Sequence, residues 1–255
     1  MKCLEITTNI GCINNCVYCP QDKLLSAYPQ DGKRVLELAN YKDILKRIPK
    51  HVKIHFSGFS EPFLNLSCLS MIQHTLKTGR QVGLYTTTIG MNEHTINQLL
   101  GLEIKPFMVH LVDRNLEECA KNARMMEEVG VEFEYIKVGN YPESSLEQRL
   151  YMRTTRKINY QIEIGRAGNL EWHGENDIKG PIRCRDNRQF QNVLLPNGDI
   201  ILCCQDYSLE YKLGNIYHDK YSDLHKGRKF LDILAQMRER DNDLICRKCF
   251  RAVPV

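Results

Sequence analysis

The sequence predicts an α/β chain in two parts: a partly open barrel of six parallel strands over residues 1–168 and a small cysteine-bearing unit over residues 169–255. Three observations predict it. Short β-branched or apolar stretches alternate with helical patterns through the first two-thirds of the chain, a repeat that builds a parallel sheet. The strands alternate apolar and polar residues, so one face of that sheet is polar. Beyond about residue 165 the rhythm stops, and a hairpin signal and a terminal C-x2-C follow.

Strands are expected near 2–7 (KCLEIT), 52–57 (VKIHFS), 81–87 (QVGLYTT), 106–112 (PFMVHLV), 131–138 (VEFEYIKV) and 159–164 (NYQIEI). Helices fall near 36–48, 67–78, 92–100, 115–129 and 143–155, with apolar residues at i, i+3 and i+4; Leu116, Ala120, Ala123 and Met126 form one such stripe. In the second strand Val52, Ile54 and Phe56 take one face and Lys53, His55 and Ser57 the other. Leu4 and Ile6 oppose Glu5 and Thr7 in the first strand, and Tyr160, Ile162 and Ile164 oppose Gln161 and Glu163 in the sixth. Parallel sheets seldom leave a face to water, so helices should cover the apolar face and the polar face should line a cavity; a simply solvated face is the other reading.

Residues 165–189 are rich in Gly, Asn and charge and read as a linker with little regular structure. Phe190–Leu195 and Asp199–Cys204 flank Pro196-Asn197-Gly198, a hairpin signal because Asn-Gly tolerates the positive φ of a tight turn. A helix is expected near 221–240. A unit this small calls for a metal staple.

With 255 residues, 42% hydrophobic and 26% charged, the chain is neither disordered nor fibrous. Its eleven cysteines exceed ordinary cytosolic usage but fall well short of the ~8–10% of a disulfide scaffold. MKCLEITTNIGC lacks the apolar core of a signal peptide, and nowhere do ~18 apolar residues run together, so the expectation is a cytoplasmic protein with no membrane partner and with free thiols. The net charge of +4 would suit an anionic substrate or cofactor but, with no basic run, does not indicate nucleic acid.

Cys12, Cys16 and Cys19 are spaced C-x3-C-x2-C on a loop after the first strand. Three thiolates on one loop can wrap a cuboidal iron–sulfur cluster while leaving one iron open, and an open position is where a metal does chemistry. Structural zinc would want a fourth Cys or His nearby, and none is there. CINNCVYC, with Tyr18 before the last cysteine, resembles the signature loop of the radical S-adenosylmethionine superfamily. The resemblance extends to Gly58-Phe59-Ser60-Glu61-Pro62, similar to that family's GGEP motif although Phe59-Ser60 departs from Gly-Gly, to Thr86-Thr87-Thr88 at the third strand end, and to Arg166-Ala167-Gly168 after the sixth. It implies a partial (β/α)6 barrel, with a [4Fe–4S] cluster on Cys12, Cys16 and Cys19 whose fourth iron is chelated by S-adenosylmethionine. It further implies adenine contact by Tyr18, methionine contact at Gly58, Ser60 and Glu61, and ribose contact at Thr87 and Thr88.

Cys184, Cys203/Cys204 and Cys246-x2-Cys249 form the second constellation. Such spacing also suits a zinc ribbon. The run Leu195–Asp199 leading to Cys203, Leu213-Gly214-Asn215 and the closing C-x2-C resemble the SPASM and Twitch appendages of the same superfamily. Five cysteines after residue 180 can support one fully ligated auxiliary [4Fe–4S] cluster, the Twitch arrangement. On a strand, adjacent Cys203 and Cys204 point to opposite faces. In relatives the ligand follows the hairpin glycine by five residues, which selects Cys203 with Cys184, Cys246 and Cys249. Cys204 is then a packing side chain or a thiol that donates hydrogen to a substrate radical. Cys3, Cys68 and Cys119 sit among apolar residues and read as core.

The resemblance implies reductive cleavage of S-adenosylmethionine to a 5′-deoxyadenosyl radical, fed by a flavodoxin- or ferredoxin-type reductant, and abstraction of a substrate hydrogen. One auxiliary cluster suggests a two-electron oxidation of a sugar or aminocyclitol-like small molecule, as in the aminocyclitol dehydrogenases, with Arg166, His110 and Glu163 as candidates for substrate contact or base. Epimerisation or modification of a ribosomal peptide is the competing enzyme reading. Peptide-modifying relatives often carry an N-terminal leader-binding domain, for which a first strand at residue 2 leaves no room. An iron–sulfur or zinc-binding electron-transfer or regulatory protein is the non-enzyme alternative.

Overall fold

The computed structural model describes residues 3–111, 116–138, 156–161, 165–170 and 177–255. The six predicted strands are β1 (Cys3–Ile6), β2 (Lys53–Phe56), β3 (Val82–Thr86), β4 (Ile104–Leu111), β5 (Glu134–Val138) and β6 (Ile158–Gln161). They pair in parallel in that order. Among the described residues the sheet is linear and does not close on itself, which makes the barrel partial.

Five helices accompany them: α1 (Gln21–Ala27), α2 (Leu38–Arg47), α3 (Cys68–Lys77), α4 (Glu93–Leu99) and α5 (Leu116–Val129). The short α1 is absent from the sequence expectation, and the helix expected near 143–155 lies outside the described residues. The apolar strand face packs under the helices as the alternation requires. Leu4, Ile6, Ile54 and Phe56 are completely buried in one core with Tyr41 and Ile44 of α2 and Met71 and Ile72 of α3. Arg80 closes the C-terminal end of α2, its guanidinium donating to the carbonyls of Leu45, Ile48 and Pro49.

The predicted hairpin forms from β8 (Gln191–Leu194) and β9 (Asp199–Ile201), with Gly198 at φ +89 in the turn. It also does something the local signal cannot show. β8 pairs in parallel with β1, Cys3 opposite Gln191 and Ile6 opposite Leu194, so the C-terminal unit continues the barrel sheet. β10 (Lys212–Asn215) follows β9 at the outer edge.

The linker expectation over 165–189 needs correction. It contains β7 (Ile182–Cys184), held antiparallel by β11 (Ala252–Pro254) from the far end of the chain. The helix expected near 221–240 divides into a 3-10 stretch Tyr221–Lys226 and α6 (Arg228–Arg238), separated at Gly227. Among the described residues no helix is long and apolar enough to cross a membrane.

Candidate active site

The loop leaving β1 folds over the mouth of the barrel. Gly11 at φ +97 and Asn15 at φ +44 bend it, and the Asn14 amide donates to Thr87 Oγ1 at 2.6 Å, tying it to the end of β3. Cys12, Cys16 and Cys19 line one cleft of about 600 Å³ with Tyr18, Gly58, Ser60, Glu61 and Thr87. The Cys19 sulfur receives Gln21 Nε2 at 3.1 Å and lies 3.4 Å from the Tyr207 hydroxyl.

The Gly58–Glu61 turn forms a wall of this cleft despite its departure from Gly-Gly. Gly58 sits at φ +92 with its α-carbon close against Thr7. The Phe59 side chain is buried edge-on to Tyr207, centroids 4.8 Å apart, in a small apolar core beside the cleft. Ser60 Oγ donates to the Asn9 carbonyl at 2.6 Å. Glu61 is buried, and burial pushes its carboxyl pKa up. Its two oxygens accept from Thr86 Oγ1 (2.6 Å), Phe63 N–H (3.1 Å), Thr87 N–H (2.6 Å) and Thr87 Oγ1 (2.7 Å). All four lone-pair directions are taken, so Glu61 holds the strand ends together at the cleft.

Thr87 faces the cleft, as expected. Thr88 does not: it is completely buried at φ +69, its hydroxyl on the Cys119 carbonyl and its own carbonyl receiving Asn122. Thr88, which the resemblance would place at the cleft, adopts the left-handed conformation that turns its side chain into the core, and Thr86 lines the cleft beside Thr87.

Below the cleft a second chamber of about 690 Å³ occupies the polar face of the barrel. Glu5, His55, Tyr85, Arg188, Cys204 and Arg251 line it. His110 and Arg166 line both the chamber and the cleft, and so stand on their shared wall. Arg166 Nε donates to the Tyr18 carbonyl at 2.9 Å, and its guanidinium lies over the Tyr18 and Tyr207 rings. Glu163 lies outside the described residues. Glu5 and His55 are the polar-face residues that the β1 and β2 alternation exposed; Arg188 and Arg251 come from segments without periodicity, and no sequence signal pointed to them.

A third cavity, about 470 Å³, is lined by all four of Cys184, Cys203, Cys246 and Cys249. Two sulfurs already accept backbone N–H groups, Cys184 from Arg188 (3.3 Å) and Cys249 from Arg251 (3.5 Å), an arrangement that suits thiolates. Arg188 and Arg251 line this cavity and the chamber alike. Cys204 does not line it. Cys3, Cys68 and Cys119 are buried, as packing residues should be.

Among the described residues no three His, Cys, Asp or Glu side chains converge on one ion-sized point. A cuboidal cluster takes one cysteine per iron, and three cysteines line the cleft and four the third cavity. Both donor sets fit such a group.

Comparison with known proteins agrees. Residues 184–250 match the SPASM iron–sulfur cluster-binding domain, a span that holds all four cysteines of the third cavity. Among solved structures, BtrN in complex with AdoMet and 2-DOIA superposes at TM-score 0.65 with 18% identity over 98% of this chain and 93% of that one. anSMEcpe with bound AdoMet gives TM-score 0.58 and 14% identity over 97% and 86%. Streptococcus suis SuiB bound to precursor peptide SuiA gives 0.61 and 13% over 97% and 69%. No curated protein matches the chain. The chain thus shares the fold of these structures, two of which hold AdoMet, and its residues 184–250 match the SPASM iron–sulfur cluster-binding domain.

Proposed function

We propose that this chain is a radical S-adenosylmethionine oxidoreductase that removes two electrons from a hydroxyl-bearing small molecule. The observation that carries the reading is the order of the three cavities. The three-cysteine cleft, the polar chamber and the four-cysteine cavity adjoin one another, with His110 and Arg166 on the first shared wall and Arg188 and Arg251 on the second.

In this reading Cys12, Cys16 and Cys19 hold a [4Fe–4S] cluster, and Tyr18, Gly58, Ser60 and Thr87 border the S-adenosylmethionine beside it. Cys184, Cys203, Cys246 and Cys249 hold one auxiliary [4Fe–4S] cluster. When bound, these groups supply one-electron cleavage of S-adenosylmethionine, hydrogen-atom abstraction and an acceptor for a substrate electron. The barrel, residues 1–168, confines the substrate, and residues 169–255 close its far side. Glu61 fixes the β3 end, Arg166 pins the Tyr18 backbone, and His110 meets the substrate at the mouth of the chamber.

Anaerobic reconstitution, reduction and incubation with S-adenosylmethionine test the reading. Formation of 5′-deoxyadenosine is expected, with deuterium carried into it from a labelled sugar or cyclitol. Deuterium transfer from peptides only would favour the peptide-modifying alternative, and no 5′-deoxyadenosine at all would refute the enzyme.

A further inference from the structure

The charge inside the chamber narrows what can occupy it. Among the described residues Arg166, Arg188 and Arg251 line it together with one carboxylate, Glu5, and Arg251 is itself paired with Asp186. The Glu5 carboxylate is already engaged, one oxygen on Arg188 at 3.3 Å and the other on Ser57 Oγ at 3.2 Å. Among the described lining residues no carboxylate is left to receive an ammonium group.

Arg188 is the donor with capacity to spare. A guanidinium has five N–H donors. Nη1 serves Glu5, with the Cys204 sulfur 3.9 Å away, whereas Nε is buried and makes no hydrogen bond. His55 also lines the chamber, and its buried Nε2 likewise has no hydrogen-bond partner. Burial first, with Lys53 and Arg188 nearby, pulls the His55 pKa down to about 4, so the ring is neutral at neutral pH.

We propose that the chamber takes a polyhydroxylated substrate bearing a phosphate or carboxylate, with the anion on Arg188 and a hydroxyl on His55. This rests on the oxidoreductase reading above and narrows its substrate class away from amine-bearing cyclitols. The Arg188 contact to Cys184 is made by its backbone N–H, so changing the side chain leaves that bond in place.

Calorimetric titration of the reconstituted, S-adenosylmethionine-loaded protein with glucose 6-phosphate, gluconate, glucose and glucosamine tests it. One of the two anions should bind about tenfold more tightly than glucosamine, with the margin shrinking as salt is added. R188K should keep most of that margin and R188Q should lose it. Equal or tighter binding of glucosamine, binding of neither anion, or an undiminished margin in R188Q would each overturn the proposal. Iron content and S-adenosylmethionine binding are measured on the same preparation. Their absence would count against the oxidoreductase reading, whereas their presence without an anion preference would count against this inference alone.

Discussion

Cys203 and Cys204 are neighbours in sequence that open onto different cavities: Cys203 lines the four-cysteine cavity, and Cys204 lines the polar chamber beside Arg188. The division predicts separate phenotypes. Two cuboidal clusters give ~8 Fe per chain, so Cys203→Ala should fall to ~4 Fe while Cys204→Ala stays near ~8. Iron analysis and the electron paramagnetic resonance of the reduced protein check this. Equal iron loss from both variants would show that Cys204 shares the ligand set.

Glu61 predicts a cost that charge alone would not. Replacing it with Gln removes a buried charge but turns one acceptor oxygen into a donor. Whichever way the amide is set, its NH2 group meets either the Thr87 N–H or the Phe63 N–H, and neither backbone donor can rotate away. A buried unsatisfied donor costs ~1–3 kcal/mol, so Glu61→Gln should be less stable by about that amount. Urea denaturation measures it, and a variant as stable as the parent would contradict the hydrogen-bond assignment.

His55 should make stability depend on pH. Its pKa lies near 4 in the folded chain against an ordinary 6.5, because of burial first and the nearby cations Lys53 and Arg188 second. Between those values the unfolded chain binds more protons, so stability rises with pH across that window and is lost as pH falls through it. The full contribution is about 3 kcal/mol. In His55→Gln this component is absent, so on moving from pH 7 to about 4.5 the stability difference should shift by ~2–3 kcal/mol in the variant's favour. A constant difference between the two pH values would exclude a depressed His55.

Much of this architecture is legible in the residues because its signals are local. The period-two alternation of Leu4/Ile6 against Glu5 and of Ile54/Phe56 against His55 identifies both the core face and the chamber face before any coordinates. The cysteine spacings and the Asn197-Gly198 turn are equally short-range. What escapes depends on distant pairing. β7 is three residues long and exists because Ala252–Pro254 returns to it. Arg188 enters the chamber from a distant segment and reaches Glu5 across 183 positions of sequence. Thr88 escapes for another reason: a motif resemblance carries no backbone angle, and its positive φ turns the side chain into the core.

Gly58 offers the most direct test of how the cleft wall is built. A Cβ there would stand 2.3 Å from Thr7 Oγ1, and φ is +92, a region that side-chain-bearing residues rarely enter. Gly58→Ala therefore carries two separable penalties, a dihedral cost of ~1–3 kcal/mol and a steric overlap of ~1–3 kcal/mol. Thr7→Ala removes the overlapping oxygen. It also leaves the Phe59 N–H, 3.2 Å from that oxygen, without its acceptor, at ~1–3 kcal/mol. The double variant Thr7→Ala/Gly58→Ala should then be less destabilised than the sum of the singles, since the overlap vanishes while the dihedral cost persists. A coupling energy of about 1 kcal/mol or more, from denaturation of the four proteins, is the expected result. Strict additivity would mean that the turn relaxes away from Thr7, and that its close approach is not what requires glycine at this position.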